Sequence, residues 1–153
     1  MSMGKNGMKR IVILMVPVGG EPYPAEIKDG CDGWQEALGG RSFDMVGVGP
    51  GVFIVCADDY HGLDDRPNGC GLYGPYFFVK VDANGHSRSL TEAQLEKCRR
   101  YWAARRHVPP PTPAEIDASG KVFAFSLGSP EHDAYMRARR REAEDRRRFW
   151  ESL

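Results

Sequence analysis

Up to about residue 90, the apolar residues fall in short runs separated by glycine- and proline-rich turns, a spacing suited to strands. The first run, RIVILMVPV at 10–18, is nearly continuous in Ile, Val, Leu and Met, as expected of a central strand covered on both faces. GGEP at 19–22 turns the chain, and YPAEI at 23–27 reads as a return strand that Pro24 places at a sheet edge. Asp32 is placed to cap a short helix, with Gln35 in a capping-box relation, Trp34 and Leu38 on its inner face and Gly39-Gly40 ending it. SFDMVGV at 42–48 and VFIVCA at 52–57 predict two strands around the GPG turn. A long polar loop, DYHGLDDRPNGCG, follows, and LYGPYFFVKV at 72–81 predicts another strand before the Asn84-Gly85 turn.

The period then changes. Thr91, with Gln94 three residues on and Leu90 and Leu95 as a hydrophobic staple, predicts a helix running to His107 with Leu95, Cys98 and Trp102 on its buried stripe. Pro109, Pro110, Pro111 and Pro113 form a stiff connector. Beyond it, Thr112, Pro113 and Glu115 predict one helical turn and KVFAFSL at 121–127 a late strand. Ser129 and Pro130 open a final helix that reaches Trp150. Its i,i+4 pairs are Glu142 with Arg146 and Glu144 with Arg148. Its apolar residues (Tyr135, Met136, Phe149, Trp150) lie at its two ends, which predicts either a solvated helix or one that docks on a partner.

The pattern specifies an α+β fold: a small mixed or antiparallel sheet, two or three packed helices and a charged C-terminal helix. The expected organisation is a compact domain over 1–107, a Pro-rich connector with a possible strand over 108–128, and the charged helix over 129–153.

Composition sharpens this picture in two places. Hydrophobic residues at 41% and charged residues at 27% are ordinary for a folded domain. The formal net charge of zero hides an asymmetry: residues 11–95 carry five Lys or Arg against twelve Asp or Glu, whereas 96–153 carry thirteen against nine. An acidic body with a basic tail implies that the two parts meet different surroundings, or each other. Lys5, Lys9 and Arg10 precede the first apolar run as in an export signal. That run is β-branched, broken by Pro17 and too short for a bilayer, so the expectation is a cytoplasmic protein without membrane contact. The four cysteines (Cys31, Cys56, Cys70, Cys98) form no C-x-x-C pair and read as reduced thiols.

Candidate chemistry is sparse. GVGPG at 47–51 resembles a phosphate-binding loop, but a strand is predicted after it where such a loop needs a helix. Asp58, Asp59, His61, Asp64 and Asp65 gather carboxylates and an imidazole in one loop, the materials of a cation site or of acid/base chemistry, although not in the order of an EF-hand. Cys56, His61 and Cys70 match no zinc spacing. With no G-x-S-x-G, H-E-x-x-H or Walker motif, no catalytic residue, metal ligand or cofactor is named, and an enzyme or metal protein built on the 58–70 loop ranks below binding. Seven arginines between Arg137 and Arg148 could neutralise phosphates, with Tyr135 or Trp150 stacking on bases, against repulsion from Glu142, Glu144 and Asp145.

In order, GGEPYPAEI, WQEALGG, VFIVCADDYHGL, PNG at 67–69, GPYFFVKVDANG and SLTEAQLEK resemble a family of uncharacterised domains carried by bacteriophages, plasmids and their Gram-positive and actinobacterial hosts. The resemblance covers about residues 10–100. Asn68 matches the family's asparagine after proline, while Gly69 stands where the family has arginine. The resemblance implies a small α+β domain in a mobile-element setting and brings no catalytic residue with it. The resulting expectation is an accessory protein that binds a host protein or small ligand, for host takeover or anti-defence, with a nucleic-acid-associated regulator as the alternative. The candidate contacts are Asp58, Asp59, His61 and Asn68 in the loop, and Arg140, Arg141, Arg147 and Trp150 on the helix.

Overall fold

The computed structural model of the chain describes residues 9–58, 66–112, 114–115 and 128–153. The chain builds strands β1 (Arg10–Val16) and β2 (Tyr23–Lys28), helix α1 (Gly30–Ala37), then β3 (Phe43–Gly49), β4 (Val52–Ala57), β5 (Tyr76–Val81) and β6 (Ser87–Arg88). Helices α2 (Glu92–Arg105) and α3 (Pro130–Ser152) follow. The sheet is antiparallel throughout, in the order β2-β1-β5-β4-β3, with β6 beside β5. This is the expected α+β architecture, and both predicted hairpins, β1–β2 and β3–β4, are present.

Because side chains alternate along a strand, each central strand supplies two layers. Leu14, Val16, Ile54, Cys56, Tyr76 and Phe78 point to one face, where they pack with Leu90, Leu95, Cys98 and Tyr101 and with Trp150 of α3. Ile11, Ile13, Val55, Phe77 and Val79 point to the other, against Trp34 and Leu38 of α1. Burial on both faces explains why β1, β4 and β5 read as unbroken apolar runs.

The structure differs from the sequence expectation at three places. Helix α1 begins at Gly30, with Asp29 rather than Asp32 before it, and no side chain caps it. Instead the Ser87 hydroxyl donates to the Asp29 carboxylate and accepts from the Gly30 amide, so strand β6, distant in sequence, takes the place of a local cap. The second difference is β5, which starts at Tyr76 rather than 72. Residues 66–75 close on themselves through Asn68 N–H to Leu72 O (2.9 Å) and Gly74 N–H to Arg66 O (2.8 Å). Positive φ at Gly69, Cys70, Gly71 and Gly74 bends this loop away from an extended path. Third, α2 keeps its predicted capping box, Gln94 N–H to Thr91 Oγ1 at 3.2 Å and Thr91 N–H to Gln94 Oε1 at 2.9 Å. Its inner stripe, however, is Leu95, Cys98 and Tyr101, with Trp102 half-buried beside it.

Helix α3 starts as predicted, the Ser129 hydroxyl accepting from the His132 amide at 3.2 Å. It packs on β3, and its last turns join the core: Trp150 is 5% exposed, and Tyr101 meets both Phe149 and Trp150 at ring separations of 5.6 and 6.3 Å. The Trp150 ring lies on Gly49, where an added Cβ would sit 2.5 Å from the indole. The expected late strand at 121–127 lies outside the described residues.

Two outcomes follow from this packing and from the β5–β6 turn. Gly49→Ala should destabilise the protein by roughly 1–3 kcal/mol through overpacking, and Trp150→Ala by roughly 3–5 kcal/mol. In chemical denaturation the Gly49 substitution should cost much less once Trp150 is already alanine, because the two share one contact. At the turn, the Asp82 carboxylate accepts from the His86 amide, the Arg88 guanidinium and the Asn84 amide. These bonds, the His86 one first, hold its pKa down at about 2. A depressed carboxylate stabilises the fold above its unfolded value and loses that contribution as pH falls towards the folded one. The stability difference between wild type and Asp82→Asn should therefore be full above about pH 4 and shrink towards pH 2 in pH-dependent unfolding curves.

Candidate functional site

Among the described residues β3 is the outermost strand on its side of the sheet, so every second residue turns its backbone groups away from β4. The Asp58 amide donates to Ser42 O, which assigns Ser42 and, by alternation, Asp44 and Val46 to the β4 side. Met45 and Gly47 thus face outwards. Two of their four backbone groups are satisfied: the Met45 amide donates to the Asp44 carboxylate (2.8 Å), and Arg146 Nε donates to Gly47 O (2.8 Å). The Met45 carbonyl and the Gly47 amide have no partner among the described residues.

These open groups lie along a groove of about 690 Å³ between β3 and the N-terminal half of α3. Met45 and Val46 wall it on one side, Tyr135 and Met136 on the other. Met45 and Met136 are 36% and 38% exposed, two of the three large apolar side chains most open to solvent among the described residues. The lining of the groove is basic, Arg139, Arg140 and Arg146 against Glu142, with the Asp44 carboxylate acting on Arg139 from β3. Arg139 is held in place by donating to the Tyr135 hydroxyl at 3.1 Å.

Of the residues singled out from the sequence, Arg140 lines this groove. Arg141 is exposed on the same helix, and Arg147 pairs with Glu151 at 3.8 Å beside a smaller hollow under Gly47–Gly49. Trp150 is a correction: its ring is a core residue packed on Gly49 and Tyr101, with the Lys97 ammonium 5.3 Å above it, so no base can stack there. Asp58 ends β4, where it accepts from the Ser42 hydroxyl and closes the hairpin. Asp59 and His61 lie outside the described residues. Asn68 has a structural task. Its side-chain amide donates to Val16 O (3.2 Å) and Gly74 O (2.9 Å) while its backbone carbonyl accepts from Tyr76 Oη (3.1 Å), which fastens the 66–75 loop to the sheet. It borders a separate hollow of about 320 Å³ with Gly19, Gly20, Trp102 and Arg106. The described candidates, Asp58 and Asn68 on one hand and Arg140, Arg141 and Arg147 on the other, therefore do not converge on one site.

Sequence reasoning missed Met45, Met136 and the β3 edge. The available signal was Met45 at an outward position of an alternating strand, together with an apolar pair, Tyr135-Met136, on an otherwise charged helix.

Among the described residues no group of three or more His, Cys, Asp or Glu is placed to hold a metal ion. Burial, and secondarily the Asp44 and Asp58 carboxylates, push the Cys56 thiol up to about 12. Burial likewise raises Cys98 to about 12 and raises Cys70. The thiolate is the reactive form, so at pH 8 a maleimide should modify exposed Cys31 in one fast phase. The other three should react only as the chain opens. Native-state mass spectrometry of wild type and Cys31→Ser checks this.

No curated protein and no solved structure matches the chain. Its family match takes in β3 but stops short of α3, so the groove has one wall inside the matched span and one outside it. Residues 8–103 match the family model described as Domain of unknown function (DUF3846), and the chain belongs to that family.

Proposed function

We propose that this protein acts by binding another protein through the groove between β3 and α3. The observation that carries this reading is a groove that sets exposed Met136 against the β3 edge, where the Met45 carbonyl and the Gly47 amide have no partner among the described residues. Solvent-facing thioethers adapt to varied apolar partners, and an uncovered strand edge is a template for another chain. The mobile-element setting implied by the sequence resemblance makes a host protein, met in the host cytoplasm, the expected partner. Host takeover or anti-defence is then the expected outcome.

A nucleic-acid reading retains one observation in its favour: Arg137, Arg140 and Arg141 are exposed and have no ion-pair partner among the described residues. It ranks second because Arg147 and Arg148 pair with Glu151, Glu144 and Asp145, and because Trp150 is buried. Non-specific phosphate binding grows with the number of uncompensated cations, and that number is small here.

Affinity capture from host lysate, with and without nuclease, separates the two. A protein retained after nuclease, lost with Met45→Asp/Met136→Asp and kept with Arg137→Gln/Arg141→Gln, is the expected result. Recovery that vanishes with nuclease and with the arginine variant, yet survives the methionine variant, would replace the protein partner with nucleic acid.

A further inference from the structure

We infer that a second hollow, between α2, α3 and the sheet, binds a small zwitterion: a molecule with one carboxylate, one ammonium and a short apolar body, as in a free amino acid. This goes beyond the proposed protein-binding role, since the ligand is a small molecule held by this chain alone. Val46, Glu142 and Arg146 border both the groove beside β3 and this hollow, so the two openings lie side by side.

The hollow has a volume of about 390 Å³, at the lower end of the range for small-molecule sites. Its floor is apolar, Val46 and Ile54 from the sheet and Cys70 from the loop before β5. On the α2 side, Tyr101 is 2% exposed, and its ring packs against Phe78, Phe149 and Trp150. The hydroxyl is the part left to meet the hollow that Tyr101 lines, and it has no hydrogen-bond partner among the described residues. A hydroxyl unpaired in such a setting is costly, so a ligand that bonds to it is favoured. Arg105, the last residue of α2, stands beside it. Its guanidinium lies over the rings of Tyr101 and Phe149 at 5.7 and 5.6 Å, and its buried Nε has no hydrogen-bond partner among the described residues. The rings hold this cation in place. Arg105 makes no ion pair among the described residues, although Glu142 and Asp145 line the same hollow.

On α3, one of the two pairs that i,i+4 spacing favours does not form. Glu144 and Arg148 meet at 3.7 Å, but Arg146 turns from Glu142 to donate its Nε to Gly47 O at 2.8 Å. Glu142 is left without an ion pair among the described residues, with Arg139 acting on it only at longer range. Asp145 meets Arg148 at 4.0 Å and is partly neutralised. The two arginines of the hollow, Arg105 and Arg146, both act on the Tyr101 hydroxyl. The Tyr101 end therefore suits a carboxylate, and the Glu142 rim suits an ammonium. A simple anion would be attracted at one end and repelled at the other, whereas a zwitterion is attracted at both. Its apolar body then lies on Val46 and Ile54.

The test titrates full-length protein calorimetrically with leucine and with 5-aminopentanoate, which differ in the separation of their two charges. Saturable one-to-one binding of at least one is expected. For the tighter of the two, acetylating the ammonium or converting the carboxylate to its amide should each weaken binding about tenfold or more. Tyr101→Phe keeps the ring packing and should weaken the parent ligand several-fold while circular dichroism shows the fold retained. Glu142→Gln should remove the difference between the parent and its acetylated form, and Arg105→Gln the difference between the parent and its amide. Where Arg105→Gln fails to fold, Tyr101→Phe and Glu142→Gln decide the matter. No saturable binding by either zwitterion overturns the inference, and so does binding that Tyr101→Phe and Glu142→Gln both leave unchanged. An acetylated ligand that binds as tightly as its parent overturns the ammonium end, and an amide that does so overturns the carboxylate end. Because binding is read on this chain alone, either result leaves the protein-binding role to its own test.

Discussion

The Trp150 indole lies on a strand residue that has no side chain, and the placement of α3 depends on this contact. Gly49 leaves the space for the ring, Tyr101 borders it from α2 and Lys97 covers it. An aromatic ring of this size carries the largest apolar surface available to any side chain. Here it is placed near the end of a helix that is otherwise almost wholly exposed. Anchored at that end, α3 crosses β3 at a height that lets Arg146 reach the Gly47 carbonyl and leaves its N-terminal half standing off the strand. The groove results from fixing one end of a stiff helix to the sheet.

The same contact shows how the chain treats its exposed strand edge. Natural sheets blunt their edges with charge, bulges or covering elements. On β3 all three are present: Arg146 and Asp44 occupy two outward backbone groups, the register shifts between Gly47 and Gly49, and α3 covers the far end. Among the described residues the Met45 carbonyl and the Gly47 amide stay open beside the groove, as do the amide and carbonyl of Phe43 at the start of the strand. A partly protected edge, with apolar and basic side chains gathered beside it, has the composition of a recognition surface.

The loop after β4 is organised differently. The sequence marks PNG as a place to look for ligands, yet the Asn68 side-chain amide donates to two backbone carbonyls and its backbone carbonyl accepts from Tyr76. Cys70, at φ +54 and bonded through its amide to Arg105 O, fastens the same loop to the end of α2. These residues fasten the described end of the connection between the neighbouring strands β4 and β5. Their polarity comes from satisfying backbone that would otherwise be buried unpaired.

Local chemistry decided much of this protein before any long-range contact formed. The period-2 and unbroken apolar runs placed the strands, glycine pairs placed the hairpins, and the Thr91–Gln94 and Ser129 caps started α2 and α3, because each signal acts within a few residues. Asp29 and Ser87 illustrate what local signals cannot contain, since the start of α1 is set by a hydroxyl on a distant strand. Trp150 illustrates it more strongly. On a charged helix, an aromatic near the end is equally consistent with stacking on a base, docking on a partner or filling a core. Only the presence of Gly49 beneath it in the folded sheet selects the last. The groove has the same origin: Met45 and Met136 are far apart in sequence and border one hollow only because α3 is held across β3.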